Sequence, residues 1–161
     1  MGGKFPGGYD VSVSMVDSSR KGTEEPSHVD RFGGATYNFA METETKMLSS
    51  ADIARVVVDV GSDKLALDIV MLDLNGVSDF ADYFVIMSAE SARQISALAD
   101  DVEDALRLAG VQRHHREGTP AGGWMLLDFF DVIVHIFAPD RREFYHLEEA
   151  WSQATETVRI Q

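Results

Sequence analysis

The chain has 161 residues, of which 45% are hydrophobic and 25% charged, the makeup of one ordinary globular domain with room for a tail. Its 27 acidic and 14 basic residues leave a formal net charge of −13, which repels a phosphate backbone and favours a basic partner surface. With no cysteine there is no disulfide framework and no zinc–thiolate site, and no apolar run approaches the roughly 20 residues that cross a bilayer.

The opening MGGKFPGGYD lacks the basic start and apolar core of a secretory signal, so a cytoplasmic protein is expected. Residues 1–47 hold seven glycines and no sustained period, which predicts a flexible N-terminal extension or an added or over-extended leader, with Met41 and Met47 as alternative starts. Seven acids and five bases fall there, leaving −11 of the net charge to the rest. From Ser49 the pattern turns regular. Ser49 and Asp52 stand three apart, as in a capping box, and Ile53, Val56, Val57 and Val60 follow at helical spacing. Gly61 lies where such a helix would stop.

The run from Asp68 to Leu74 is apolar on both parities, which predicts a central strand covered on both faces. Asn75-Gly76 signals a turn, and Tyr83 to Met87 a second buried strand. Ser91 with Gln94 opens a helix whose stripe is Ile95, Leu98, Val102, Leu106 and Ala109, closed by Gly110. Asp100, Asp101, Glu103 and Asp104 are read as its solvated face. Val111 to Gly123, with Arg113, His114, His115 and Arg116, predicts a short edge strand and a loop. Trp124–Phe129 and Val132–Ala138 lie so close that they must pair as an antiparallel hairpin. Pro139-Asp140 starts a last helix with apolar positions Phe144, Leu147 and Trp151, and 153–161 is expected to be a short tail. The fold class is therefore α/β, a mixed sheet of about five strands flanked by helices, in one domain over 48–152.

Candidate chemistry concentrates between Trp124 and Trp151. Asp128 and Asp131 are candidate paired carboxylates, but no lysine or glycine-rich cradle stands beside them, and Asp131 near a turn is expected to satisfy local amides. The face of Asp128 depends on strand register. His135 lacks a co-ligand at useful spacing and is read as structural, and the adjacent His114 and His115 point to opposite faces, so no metal site is expected. A nucleotidyltransferase needs two carboxylates on one strand face. Gly61-Ser62 precedes Asp68, but Val70 occupies the position two beyond it and Asp73 has the opposite parity. No enzyme and no cofactor are expected. Trp124, beside a glycine-rich loop, and Tyr145 are each either core aromatics or binding anchors.

The block running from Gly118 to Trp151, with Trp124, Asp128, the run Asp131-Val132-Ile133-Val134-His135, Arg142, Tyr145, Leu147-Glu148 and Trp151, closely resembles the Iojap family of ribosomal silencing factors. Asp68-Ile69, Asp73, Ser78, Asp82, Ser91 and Arg93 agree with it, and the resemblance covers about residues 49–152. It implies a nucleotidyltransferase-like fold without the catalytic residues, and a translation repressor that binds the large ribosomal subunit. The implied contact is the fourteenth of that subunit's universal proteins, a basic protein. The implied mechanism is steric: the small subunit cannot join, which lowers translation when nutrients are short. A homodimer of the free protein is also implied. The resemblance points to Trp124, Asp128 and Tyr145 on the partner-binding face, with Asp82 and Arg93 close by. The alternative of another class is a residual nucleotidyltransferase.

Overall fold

A computed structural model describes residues 46–161 and, ahead of them, the backbone of a two-residue antiparallel pairing, β1 (Ser14–Met15) with β2 (Thr43–Glu44). The extension expected over 1–47 otherwise lies outside the described residues. The capping box at Ser49 forms: its hydroxyl accepts from the Asp52 amide at 3.2 Å, and the Asp52 carboxylate accepts from the Ser49 amide and hydroxyl. It opens α1 (Ser50–Asp63), whose β-branched stripe of Val56, Val57 and Val60 is buried.

Gly61 does not end this helix. It lies inside α1, where a Cβ would come within 2.9 Å of the Met87 side chain and 3.2 Å of Ile69, so its lack of a side chain lets the helix press against the sheet. Termination falls three residues later. Leu65 turns left-handed (φ 59°), and the Ala66 amide donates to the Gly61 carbonyl.

Six strands, rather than about five, make the main sheet: β3 (Leu67–Asp73), β4 (Tyr83–Ser88), β5 (His115–Thr119), β6 (Trp124–Asp128), β7 (Val132–Phe137) and β8 (Thr155–Ile160), in the order β5-β6-β7-β4-β3-β8. All neighbours are antiparallel except β4 and β7, which run parallel. The α2 helix (Ala92–Leu108) begins the crossover between those two. Residues expected as a tail supply β8. Thr155–Ile160 pairs along β3, satisfying backbone groups on that edge, although the side chains of β8 are mostly exposed and leave little hydrophobic pattern.

Two cores follow from strand alternation. On one face α1 and α2 cover Ile69, Met71, Val85, Met87, Met125, Leu127, Val132, Val134 and Ile136. On the other, Val70, Leu72, Phe84, Ile86 and Phe137 are overlaid by Leu147, Trp151 and Ala154. Both parities of β3 and β4 are thus buried, as their unbroken apolar runs predict.

The single last helix does not form as one piece. It breaks into α3 (Pro139–Tyr145) and α4 (Leu147–Ala150) at His146, which is left-handed (φ 47°). The break rotates the face: Leu147 and Trp151 turn onto the sheet while Phe144 points to solvent. Buried Arg142 fixes the pair in place. Its guanidinium meets Glu148 at 2.6 Å, Asp68 at 3.3 Å and the Ser88 hydroxyl at 3.0 Å, and Asp68 also pairs with Arg159 of β8 at 2.8 Å.

A candidate partner-docking face

The second face of the sheet is covered over β3, β4 and the His135–Phe137 part of β7, and opens toward β6 and β5. Over β5, β6 and β7 the register sets three rows across it: Thr119–Trp124–Phe137, Glu117–Leu126–His135 and His115–Asp128–Ile133. This resolves the face of Asp128. Leu126 stands opposite His135, so Asp128 shares its side with Trp124. Counting about 3.4 Å per residue, the face runs about 14 Å along β6 from Trp124 to Asp128.

Trp124 is positioned by close backbone approach. Gly123 (φ 75°) lies so near α3 that a Cβ would meet Arg141 at 2.8 Å, and a Cβ on Gly118 (φ 83°) would overlap the Trp124 carbonyl. The indole is half-buried. It stacks on Phe137 at 5.0 Å, carries the Tyr145 ring at 4.6 Å, and its Nε1–H donates to His135 Nδ1 at 3.3 Å. The core reading of this tryptophan holds for part of the ring. One side of the ring is core, and the other borders a shallow cavity of 210 Å³ lined by Glu117, Gly118, Trp124 and Leu126. Tyr145 remains 45% exposed at the upper rim.

His135 is structural in the way its setting requires. It is 4% exposed, and burial pushes its imidazole from 6.5 down to about 3, so the ring is neutral. Accepting at Nδ1 from Trp124 leaves the proton on Nε2, which is buried without a protein partner among the described residues. The edge-on Phe84 ring lies 4.9 Å away.

The lower end belongs to the acids. Asp128, not Asp131, satisfies the turn amides: its Oδ1 accepts from the Phe130 amide at 2.7 Å. Asp131 contributes its backbone carbonyl instead, which accepts from Asp82 at 2.8 Å and Tyr83 at 3.0 Å. The Asp82 backbone is thus tied to this end of the sheet. Arg93 does not. It is exposed at the start of α2, the helix that covers the opposite side of the sheet.

Alternation also keeps the face acidic. The basic stretch before the loop sends Arg116 to the α2 side, where it pairs with Glu103 at 3.0 Å and Asp100 at 3.1 Å, and Arg113 pairs with Glu103 at 2.7 Å. Part of the helix face read as simply solvated is therefore ion-paired. Glu117, on the other parity of β5, stays on the open face beside His115 at 2.9 Å. Leu126, Ile133 and Glu117 were legible as face residues only through their parity with Trp124 once the register was known. The acid nearest a catalytic pattern, Asp68, is engaged by Arg142 and Arg159. Among the described residues no group of three or more potential ligands is placed to hold a metal, and no helix is long and apolar enough to cross a membrane.

Comparison with known proteins agrees with this architecture. Residues 47–161 match the sequence model of the family described as ribosomal silencing factor during starvation. The ribosomal silencing factor of Zymomonas mobilis is 40% identical over 105 residues, which is 65% of this chain and 79% of the relative. That of Bacillus subtilis is 36% identical over 107 residues, 66% of this chain and 91% of the relative. The chloroplastic Iojap protein of Zea mays is 36% identical over 97 residues, 58% of this chain and 41% of the relative. Among solved structures, a Chromobacterium violaceum protein superimposes with a TM-score of 0.63 at 29% identity, covering 69% of this chain and 94% of its own. A Bacillus halodurans protein does so with a TM-score of 0.57, also at 29% identity, covering 69% and 98%.

Proposed function

The chain belongs to the family of ribosomal silencing factors, and we propose that it represses translation by docking its open sheet face on a basic protein of the large ribosomal subunit. The observation that carries this is the half-covered second face. Trp124 and Tyr145 border an apolar floor of Leu126 and Ile133, with Glu117 and Asp128 beside it and Arg113 and Arg116 turned to the other side. A half-desolvated tryptophan with an acidic rim suits a surface that presents aliphatic groups among lysines and arginines.

Occupying that surface blocks small-subunit joining by exclusion alone. The binding free energy supplies the whole effect, in the cytoplasm and under nutrient limitation, without turnover or cofactor. Trp124, Asp128 and Tyr145 carry the contact, with Asp82 at its lower edge.

Sedimentation with purified large subunits tests this. The wild-type chain is expected to pellet with them at low salt, to weaken as salt rises, and to slow joining of the small subunit. Trp124→Ala is expected to weaken the association about 30-fold or more, as loss of a hot-spot aromatic does. A wild-type chain that stays in the supernatant at low salt sinks the proposal.

A further inference from the structure

The β6–β7 turn contains a residue that the fold itself does not require. Phe129 packs into the helix-covered core. Its neighbour Phe130 is 59% exposed and sits in the left-handed region at φ 68°. That conformation is unfavourable for a bulky L-residue and natural for asparagine or glycine. The ring gains little in exchange: among the described residues its one aromatic neighbour is the exposed His114, at 4.4 Å. A side chain that is strained in the backbone and exposed to water marks a site kept for something other than stability.

The place of Phe130 says what that is. Its amide is capped by Asp128, the residue that ends the open face, and Asp131 follows it in the turn. The aromatic therefore lies in the turn just beyond the lower end of the docking face, at the other end of β6 from Trp124, with Asp128 and Asp131 close to it in the chain. We infer that Phe130 is a second anchor of that face, seating in an apolar depression with a basic rim on the same large-subunit protein. This inference rests on the docking proposal and adds a contact at the far end of it. The Asp128 cap fixes the Phe130 backbone before the partner arrives, which lowers the ordering cost of burying the ring.

The test pairs Phe130→Asn, which suits the left-handed backbone and deletes the ring, with Phe130→Tyr, which keeps it. Binding to purified large subunits, melting temperature and self-association are measured for both, with Trp124→Ala alongside. Phe130→Asn is expected to bind at least about 10-fold more weakly with its melting temperature unchanged or raised, and Phe130→Tyr to bind like wild type. A purely structural role would instead lower the melting temperature. Phe130→Asn that binds like wild type while Trp124→Ala does not overturns the inference and leaves the docking proposal standing. Failure of the wild-type chain to bind removes both. A change confined to self-association also overturns it, by assigning the ring to a second copy of the chain.

Discussion

At the scale of single residues, His135 shows how burial sets protonation. It lies among Phe84, Trp124 and Phe137, where an imidazolium would lose its hydration without gaining a carboxylate. Its folded pKa of about 3 lies below the 6.5 of an exposed histidine, so between those values the unfolded chain binds the extra proton. The stabilising contribution is complete above pH 6.5 and falls, as pH drops, by about 1.4 kcal/mol per unit. Asp59 acts in the opposite sense: burial, with Asp63 nearby, pushes its carboxyl up. The expected outcome concerns the difference between two chains, in which the Asp59 contribution cancels. His135→Phe should gain on the wild type by about 1.4 kcal/mol for each unit below pH 6.5, measured as urea midpoints from pH 7 to 4.5. A constant difference across that range would show that His135 is not the titrating group.

At the scale of elements, ends and breaks matter more than interiors. The α1 stripe and its capping box followed from local spacing, but the stop did not. Gly61 resembles a terminator by sequence, whereas in the structure it is a contact point against Met87 and Ile69. The residue that reverses the chain is Leu65, 77% exposed at φ 59° in a position that glycine fills more comfortably. Leu65→Gly is therefore expected to stabilise the domain by about 0.5–1 kcal/mol, relief of backbone strain exceeding the added unfolded-state entropy. Thermal denaturation checks the sign, and a lower melting temperature rejects it. The α3–α4 break has the same character. Periodicity joined Phe144, Leu147 and Trp151 into one stripe, but a left-handed His146 and the Arg142–Glu148 pair divide it.

At the scale of the whole molecule, the sheet needs its last strand. β8 pairs with β3 in five register pairs, from Ile69–Ile160 to Asp73–Thr155. Without it the apolar strand Leu67–Asp73 becomes an open edge, a template for pairing with other chains. Truncation after Ser152 is expected to cost roughly 2–4 kcal/mol, taking up to about 1 kcal/mol per lost pair, and to promote association. Size-exclusion chromatography together with urea denaturation reads both effects. A truncated chain that remains as stable and as dispersed as the full one would show that β8 is dispensable.

What the sequence determined by itself is local: where helices begin, which runs are strands, and that Trp124–Asp128 and Val132–Phe137 must form a hairpin. Capping boxes, turn residues and short connections act within a few positions, so they are legible without tertiary contacts. The family pattern was legible too, because its aromatic and acidic residues recur in one continuous block. The tertiary structure decided what depends on distant partners. Only the pairing of β6 with β7 put Trp124 and Asp128 on the side away from α1 and α2, and only the alternation of β5 sent Arg116 to α2 and left Glu117 on the open face. Only the overlay of Leu147 and Trp151 on one side, and of Tyr145 against Trp124 and Phe137, left the β5–β6 side of that face open. A face is a product of register and layering, both set by contacts between segments far apart in the chain, and no local signal encodes them.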